Sequence, residues 1–231
     1  MAAKRITIDG KKCFLYENSD TNIFLIQAVG EHELDALDRE VEGIKKLTNG
    51  VPFAFAAIMI EDWNSQLSPW KAPAVFGREG FGSGAAETLT FVREVLLPTL
   101  EQTYGQGRRM EYYLGGYSLS GLFSLWASYQ TDVFSGIAAV SPSVWFPGWD
   151  AYMTSHSPQA QKIYLSLGEK EEKTKNRVTS QVGDHIRRQD ELLRRDEHVK
   201  ACFLEWNPGN HFTDPEIRMA KGFAWLLTVT V

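Results

Sequence analysis

The fold of this chain is predicted above all from one stretch, Leu114-Gly115-Gly116-Tyr117-Ser118-Leu119-Ser120-Gly121. A run rich in tyrosine and leucine precedes it and indicates a β-strand, and an apolar run that reaches Tyr129 follows it and indicates a buried helix. Gly116 and Ser120 are small and lie two residues before and two residues after Ser118. A sharp strand–turn–helix connection requires small residues at both places because its backbone is crowded. We therefore expect Ser118 to stand at the tip of a strand, with its hydroxyl above the sheet.

Ser118 in this setting has the position of a catalytic nucleophile. The usual pattern of such a turn is G-x-S-x-G, whereas this chain has Gly116-Tyr117-Ser118-Leu119-Ser120, followed by Gly121. Serine is small enough for the second position, so we interpret the departure as a tolerated variant. The alternative is a glycine-rich turn with an inert serine. The strand before the turn and the helix after it favour the catalytic interpretation.

Strand and helix patterns alternate along the chain. After an N-terminal hairpin, helical periodicity separates the predicted buried strands, which are residues 22–29, 53–60, 136–140, 163–167 and 201–206. This alternation indicates one α/β domain over residues 1–231, with a mostly parallel central sheet and helices on both faces. Pro98 is expected to kink the helix predicted for residues 86–104. Two long aromatic loops, residues 61–84 and 141–149, are candidates for a binding role.

Composition and charge narrow the function classes. The chain has 231 residues, of which 43% are hydrophobic and 23% charged, and its formal net charge is -5. This mild acidity and the lack of a basic stripe argue against nucleic acid as a partner. No apolar run has the length of a membrane span, and residues 1–12 show no signal-peptide pattern. No Rossmann or P-loop glycine motif follows a strand, and no cofactor is expected.

The two cysteines, Cys13 and Cys202, lie in apolar, strand-like runs and lack the spacing of metal ligands. No metal is therefore expected in the reaction. Buried free thiols are typical of a reducing compartment, so the pattern indicates a cytoplasmic location. The oligomeric state stays open.

His211 is the expected general base. In a parallel α/β sheet, functional residues gather at the carboxyl ends of the strands, and His211 follows the last predicted strand directly. Its place also fits the chain order Ser…acid…His. The remaining histidines lie in polar or charged segments and are expected at the surface: His32, His156, His185 and His198. A loop histidine that caps the next helix is the alternative interpretation of His211.

The acid that orients His211 is expected after the strand predicted for residues 163–167. The tip of that strand reads Gly168-Glu169-Lys170-Glu171-Glu172, so three glutamates are candidates: Glu169, Glu171 and Glu172. We choose Glu171 because it lies three residues past the glycine, where the loop has room to fold back over the sheet. All three glutamates could also be solvated surface charge, and at least one must be.

Two backbone N–H groups are needed to stabilise the oxyanion of an acyl-transfer reaction. Leu119, directly after the nucleophile, is expected to supply the first, and Val29, after the strand that precedes the first core helix, is chosen for the second. The aromatic loops and the elbow suggest the residues that bind substrate, which are Trp63, Tyr117, Trp145 and Trp149. Each tryptophan has the alternative role of covering an end of the sheet.

Together these residues resemble the putative-esterase family of α/β-hydrolases. This family includes siderophore esterases, S-formylglutathione hydrolases, feruloyl esterase domains and mycolyltransferases. The resemblance covers most of the chain and rests on three motifs, which are the elbow from Gly116 to Gly121, Gly168-Glu169-Lys170-Glu171, and Gly209-Asn210-His211. It implies an α/β-hydrolase core, without a large lid domain, that acts on esters.

Two departures from the family pattern bear on function. Gln27-Ala28 stands where members often carry Asp-Gly or His-Gly in the oxyanion loop, and residues 62–65 lack the arginines of siderophore esterases. The leading hypothesis is a serine carboxylic-ester hydrolase that acts on a small-molecule ester through a Ser-His-Glu triad and an acyl-enzyme intermediate. The alternatives are an acyltransferase with the same triad and a non-catalytic binding protein on the same fold.

Overall fold

The computed structural model describes residues 3–230. Met1, Ala2 and Val231, which complete the predicted 1–231 domain, lie outside the described residues. One eight-stranded sheet spans the described chain, with strands β1 (Lys4–Ile8), β2 (Lys11–Tyr16), β3 (Ile23–Val29), β4 (Ala54–Met59), β5 (Glu111–Tyr117), β6 (Phe134–Val140), β7 (Lys162–Gly168) and β8 (Ala201–Asn207). The spatial order is β1-β2-β4-β3-β5-β6-β7-β8. The pairs β1–β2 and β2–β4 are antiparallel and the other neighbouring pairs are parallel, which confirms the mostly parallel sheet.

Helices cover both faces of this sheet. They are α1 (Leu37–Leu47), α2 (Trp63–Gln66), α3 (Ala85–Phe91), α4 (Leu97–Tyr104), α5 (Leu119–Gln130), α6 (Trp149–Ser155), α7 (Val182–Arg195) and α8 (Pro215–Thr228). Helices α1 and α8 pack against each other and share one core with the sheet. Helices α5 and α7 belong to the core on the opposite face. The α/β fold class predicted from the alternating pattern is thereby confirmed.

The apolar run of β3 shows why the sheet has two cores. Ile26 and Ala28 belong to the core that contains α5, whereas Leu25 and Val29 belong to the core under α1 and α8. All four side chains are fully buried. Because successive side chains of a strand point to opposite faces, a continuous apolar run fills a core on each side.

The helix around Pro98 is interrupted as expected. A π-helical turn over Val92–Leu96 joins α3 to α4, and Pro98 lies in the first turn of α4. A proline is tolerated in a first turn because its missing N–H would have no partner there. Two helices were not predicted: the short α2 lies within the irregular segment 61–84, and α6 begins at Trp149, where the second aromatic loop was expected to end.

Candidate active site

Ser118 joins β5 to α5 through strained backbone. Its φ of 58° and ψ of -119° lie where residues other than glycine are rare. The Ser118 N–H donates to the Val140 carbonyl at 3.0 Å, and the Ser118 carbonyl accepts from the Leu122 N–H at 3.0 Å, so both ends of the turn are anchored. A Cβ on Gly116 would overlap the hydroxyl and backbone of Ser120. The turn therefore requires glycine at this place.

Ser120 occupies the second small position of the turn. It is fully buried, and its hydroxyl donates to the Ala28 carbonyl at 2.7 Å. This bond ties the first turn of α5 to β3, the strand beside β5. A buried hydroxyl with a partner avoids the desolvation penalty of an unpaired one. The serine variant of the motif is accommodated by a hydrogen bond that glycine lacks.

Ser118, His211 and Glu171 form a continuous chain of hydrogen bonds. The Ser118 Oγ lies 3.0 Å from His211 Nε2, and His211 Nδ1 lies 2.7 Å from Glu171 Oε2. The three residues follow β5, β8 and β7, whose carboxyl ends lie at the same end of the sheet. With the proton on Nδ1, the lone pair of Nε2 is free to accept from the serine hydroxyl. This is the geometry of a nucleophile, a base and a group that orients the base.

Hydrogen bonds to its backbone hold the loop that carries His211. The Tyr117 hydroxyl donates to the His211 carbonyl at 2.7 Å, so the residue before Ser118 also positions the imidazole. Arg218 Nη2 donates to the carbonyls of Pro208 and Asn210 at 2.9 Å and 3.0 Å. The Gly209 carbonyl accepts from the Lys170 N–H at 3.0 Å as well, so four successive carbonyl groups of the loop that carries the imidazole are anchored.

The Glu171 carboxylate is almost fully buried and is surrounded by donors. Its Oε1 accepts from the Gly168 N–H at 2.7 Å, the Ser141 hydroxyl at 2.7 Å and Arg218 Nη1 at 3.1 Å. Burial raises the pKa of Glu171, but the hydrogen bond and charge of His211 and the bonds from Ser141 and Gly168 outweigh it. The net pKa lies below its ordinary value, so the group is held as a carboxylate.

The two other glutamates of the predicted tip point elsewhere. Glu172 forms an ion pair with Arg187 at 2.9 Å on the surface. Glu169 is exposed, and its backbone N–H donates to the Asn207 carbonyl at 2.9 Å. Of the three candidates, Glu171 is the one whose carboxylate contacts His211.

Arg218 is the main site residue that sequence analysis missed. It lies on α8, is 2% exposed, and donates through Nη1 to Glu171, to the Ser141 hydroxyl at 3.2 Å and to the Tyr117 hydroxyl at 3.3 Å. It thus joins the acid, the tip of β6 and the elbow. The signal available in the sequence was an arginine directly before apolar residues of the closing helix, Met219 and Ala220.

Of the two residues predicted to supply N–H groups to the oxyanion hole, Leu119 lies at a suitable place and Val29 does not. Leu119 is the first residue of α5, where backbone N–H groups have no partner within the helix. The Val29 carbonyl accepts from the Ile60 N–H at 2.8 Å, beyond β4. Because the N–H and C=O of one residue in a parallel strand point to the same neighbour, the Val29 N–H also faces β4, whereas Ser118 follows β5. The Val29 prediction is corrected accordingly. The Gly30 N–H already donates to Glu33 Oε2 at 2.7 Å, so the next candidates are N–H groups of the 3₁₀ helix Glu31–Ala36.

Two cavities share Ser118, His211 and Phe212 as a common border. The first has a volume of about 470 Å³, and its other walls include Phe76, Trp145, Lys170, Thr174, Thr179 and Val182. The second has a volume of about 260 Å³, and its other walls include His32, Glu33, Glu40, Trp63, Tyr117 and Glu216. The structure thus brings Trp145 to the first cavity and Trp63 and Tyr117 to the second.

Trp149 lines neither cavity and is corrected to a core residue. Its side chain is fully buried, and its Nε1–H donates to Gln189 Oε1 at 3.1 Å. The indole also stacks against Tyr152, with ring centroids 5.5 Å apart. Because its polar atom already has a partner between α6 and α7, the indole has neither surface nor donor left for a substrate.

No group of three His, Cys, Asp or Glu side chains within residues 3–230 is arranged to hold a metal ion. In the same part of the chain, no helix is long and apolar enough to cross a membrane. Cys13 and Cys202 are free thiols. Burial raises the pKa of Cys13 to about 11 and that of Cys202 to about 12, so both stay protonated and are weak nucleophiles.

Comparison with known proteins identifies the family. The model of the family described as "Putative esterase" matches residues 51–212, a span that contains Ser118, Glu171 and His211. The chain belongs to this family. The predicted membership is thereby confirmed, and the chain is an enzyme of the serine hydrolase class. No curated protein matches the chain.

Solved structures share the fold at low sequence identity. An IroE-like serine hydrolase from Shewanella oneidensis superposes with a TM-score of 0.78 at 15% identity, over 97% of this chain and 79% of that one. The siderophore hydrolase EstA from Aspergillus nidulans gives 0.74 at 17% identity, over 98% and 93%. The enterobactin hydrolase IroE in complex with DFP gives 0.66 at 16% identity, over 99% and 95%. The α/β-hydrolase fold is confirmed, and residues 3–230 contain no large lid domain.

Proposed function

We propose that this chain hydrolyses carboxylic esters, with Ser118 as nucleophile, His211 as general base and acid, and Glu171 as the group that orients the imidazole. The observation that carries the proposal is the pair of hydrogen bonds made by His211, at 3.0 Å to the Ser118 hydroxyl and at 2.7 Å to the Glu171 carboxylate. The strained backbone of Ser118 supports it, because strain of this kind is stored at functional sites.

The reaction runs in two halves. His211 Nε2 takes the proton of Ser118 as Oγ attacks the ester carbonyl, and the resulting tetrahedral intermediate carries a negative oxygen. The Leu119 N–H and one N–H from the 3₁₀ helix Glu31–Ala36 stabilise that oxygen. The imidazolium then protonates the departing alcohol, which leaves an acyl group on Ser118. A water molecule, activated by His211 in the same way, releases the acid.

The Glu171 carboxylate acts without accepting the proton itself. Despite the burial of Glu171, the hydrogen bond and charge of His211, with the bonds from Ser141 and Gly168, lower its pKa. The group therefore stays ionised and stabilises the imidazolium that forms when His211 takes the proton of Ser118. It also keeps the Nδ1 tautomer in place.

The substrate class is a small-molecule ester. The Aspergillus nidulans proteins EstA and EstB are both described as siderophore hydrolases, which makes a siderophore ester one candidate. Lys170 is the single Lys or Arg side chain that lines either cavity of the described chain. This feature does not favour an acidic catecholate ester, because such a ligand needs a cluster of positive charge.

The location is proposed to be cytoplasmic. Two thiols that remain free, Cys13 and Cys202, are typical of a reducing compartment. A net charge of -5 does not favour nucleic acid as a partner.

A panel of p-nitrophenyl esters of increasing acyl length tests the function directly. We expect hydrolysis by the wild-type chain and a loss of about 10⁶-fold in kcat for Ser118→Ala, as for other serine-triad knockouts. Ser155→Ala, a change of an exposed serine at the end of α6, is the matched control and keeps full activity. Equal rates for wild type and Ser118→Ala would contradict the proposal.

A further inference from the structure

The walls of the cavity of about 260 Å³ beside Ser118 are rich in carboxyl groups. Three glutamates line it, Glu33, Glu40 and Glu216, and no Lys or Arg side chain of the described chain does. Arg39 pairs with Glu216 at 3.2 Å, but its side chain is 65% exposed and lies outside the cavity. Glu33 Oε2 lies 4.0 Å from Nε2 of the exposed His32, and Glu40 pairs with no Lys or Arg side chain of the described chain. The cavity walls therefore bring three carboxyl groups together without a Lys or Arg side chain from the described chain.

Glu40 carries the unpartnered oxygen at the base of this cavity. Its side chain is 97% buried, as its exposed fraction is 3%, and its Oε1 has no hydrogen-bond partner in the described chain. Its Oε2 is 3.5 Å from Gln27 Nε2, a long contact, and Gln27 Oε1 is also buried without a partner. Two acceptors are thus left unsatisfied at one place. An unpaired buried acceptor costs about 1–3 kcal/mol, so such a pair is expected to serve a ligand donor.

Glu33 lines the same cavity as Glu40 and Ser118. Its Oε2 accepts from the Gly30 N–H at 2.7 Å, which fixes the carboxyl at the start of the 3₁₀ helix Glu31–Ala36. Burial raises the pKa of Glu33 to about 7, while the Gly30 N–H lowers it. Burial, and then the nearby Glu33, raise the pKa of Glu40 well above its ordinary range. Both groups would gain from a positive charge between them.

We propose that this cavity binds a primary ammonium group of the substrate, so that the ester cleaved at Ser118 carries a protonated amine. An ammonium ion has three N–H donors and no acceptor, which suits the unsatisfied Glu40 oxygen and the Glu33 carboxyl of the cavity wall. The aromatic rings of Trp63, Tyr117 and Phe212 complete the walls and favour a cation further. This substrate class rests on the proposed esterase function.

A metal ion fits the same cavity less well. Within residues 3–230, no three His, Cys, Asp or Glu side chains are close enough to coordinate one ion. A neutral hydrogen-bond donor would also satisfy the free oxygens, but it would leave Glu33 and Glu40, whose pKa values burial raises, without the positive charge that favours their ionised forms. A single cationic donor would supply both the hydrogen bonds and the positive charge.

Two pairs of isosteric esters test the proposal by activity. One pair places the charge in the acyl group, p-nitrophenyl 6-aminohexanoate against p-nitrophenyl heptanoate. The other places it in the alcohol, 5-aminopentyl butyrate against hexyl butyrate. For at least one pair we expect kcat/KM at pH 7.5 to favour the ammonium ester by about tenfold or more, the effect of one well-formed ionic contact. Ratios near or below one in both pairs would overturn the proposal.

Glu40→Gln identifies the residue responsible, because glutamine keeps the shape and removes the charge. We expect the ammonium-to-neutral ratio of the preferred pair to fall at least fivefold. Glu42→Gln, an exposed change on the same helix α1, is the matched control and leaves the ratio as in wild type. An unchanged ratio in Glu40→Gln, or an equal fall in Glu42→Gln, would assign the preference elsewhere and overturn the proposal.

A binding measurement separates this inference from the esterase proposal. Calorimetric titration of Ser118→Ala with 4-phenylbutylammonium and with 4-phenylbutan-1-ol needs no turnover. We expect the ammonium compound to bind more tightly, with the difference lost in Ser118→Ala/Glu40→Gln. Preference for the ammonium without hydrolysis of any ester would refute the esterase function and support the cation site. Hydrolysis of neutral esters with no ammonium preference by either method would support the esterase function and refute the cation site.

Discussion

Arg218 Nη1 lies 3.1 Å from Glu171 Oε1, the oxygen of the carboxylate that His211 does not use. Both side chains are almost completely buried, with 2% and 5% of their surface exposed. The Arg218 guanidinium therefore binds the Glu171 oxygen that His211 leaves free. Arg218 belongs to α8, the helix after the histidine loop. This arrangement links the position of the proposed triad acid to the packing of the last helix.

Arg218→Met is expected to lower the free energy of unfolding by about 3–5 kcal/mol, because it leaves a buried carboxylate without its partner. Urea denaturation at pH 7.5 measures the change. Arg39→Met removes the same type of side chain from an exposed pair with Glu216 at 3.2 Å, and we expect that control to lose about 1 kcal/mol or less. Losses of similar size in the two variants would show that burial of the Arg218 pair is not what matters.

Glu171→Gln is expected to lower kcat by about 10⁴-fold, because a neutral amide neither holds the Nδ1 tautomer of His211 nor stabilises the imidazolium. Steady-state hydrolysis of a p-nitrophenyl ester measures it. Glu169→Gln and Glu172→Gln are matched controls on the same loop, and both should stay within a few-fold of wild type because neither contacts His211. A large loss in a control with little loss in Glu171→Gln would contradict the assignment.

Gly116→Ala is expected to destabilise the fold by several kcal/mol, because its Cβ would overlap the backbone and hydroxyl of Ser120 in a turn that cannot relax. Gly50→Ala is the matched control. Gly50 has a φ of +84° but open space around its Cβ position, so we expect a cost of about 1–2 kcal/mol from backbone strain alone. Equal midpoints of thermal unfolding for the two variants would mean that the elbow is not crowded.

Glu33 should make the protein less stable as pH rises. Its folded pKa of about 7 exceeds the ordinary value of 4.5, so between these values the folded state binds more protons than the unfolded state and the free energy of unfolding falls with pH. The Gly30 N–H and His32 contact the Glu33 carboxyl, Glu40 lies near it, and Glu216 lines the same cavity. Glu33→Gln should therefore gain about 2–3 kcal/mol relative to wild type between pH 5 and pH 8.

Urea titrations at the two pH values measure this gain. The exposed change Glu42→Gln on α1 is the reference, and its difference from wild type should be nearly the same at both pH values. A Glu33→Gln difference that does not grow with pH would show that the Glu33 carboxyl is not held in its protonated form by burial.

The sequence predicted what depends on local pattern and on strand order. Ser118, Glu171 and His211 each follow an apolar run, and parallel strands bring such residues to one end of the sheet. There the structure places both Ser118 and Glu171 within hydrogen-bond distance of His211. The sheet, its antiparallel edge and the interruption at Pro98 followed from periodicity and turn residues in the same way.

What could not be predicted depends on contacts between distant segments. Arg218 lies 47 positions after Glu171, and nothing in its neighbourhood shows that its guanidinium turns inward. Val29 was placed at the correct strand end, but the direction of its N–H depends on the neighbour with which β3 pairs at that residue. The roles of Trp149 and Glu40 depend on their burial by tertiary contacts, which a pattern of aromatic or charged residues does not reveal.

The most direct test of the account is the site of covalent modification by an organophosphorus fluoride. After reaction with diisopropyl fluorophosphate and proteolysis, tandem mass spectrometry of the peptide that contains Ser118 locates the adduct. We predict a single adduct on Ser118 Oγ in wild type, and no adduct in Ser118→Ala or His211→Ala, because the hydroxyl needs its base to react. An adduct on another residue, or equal labelling of wild type and Ser118→Ala, would contradict the central claim.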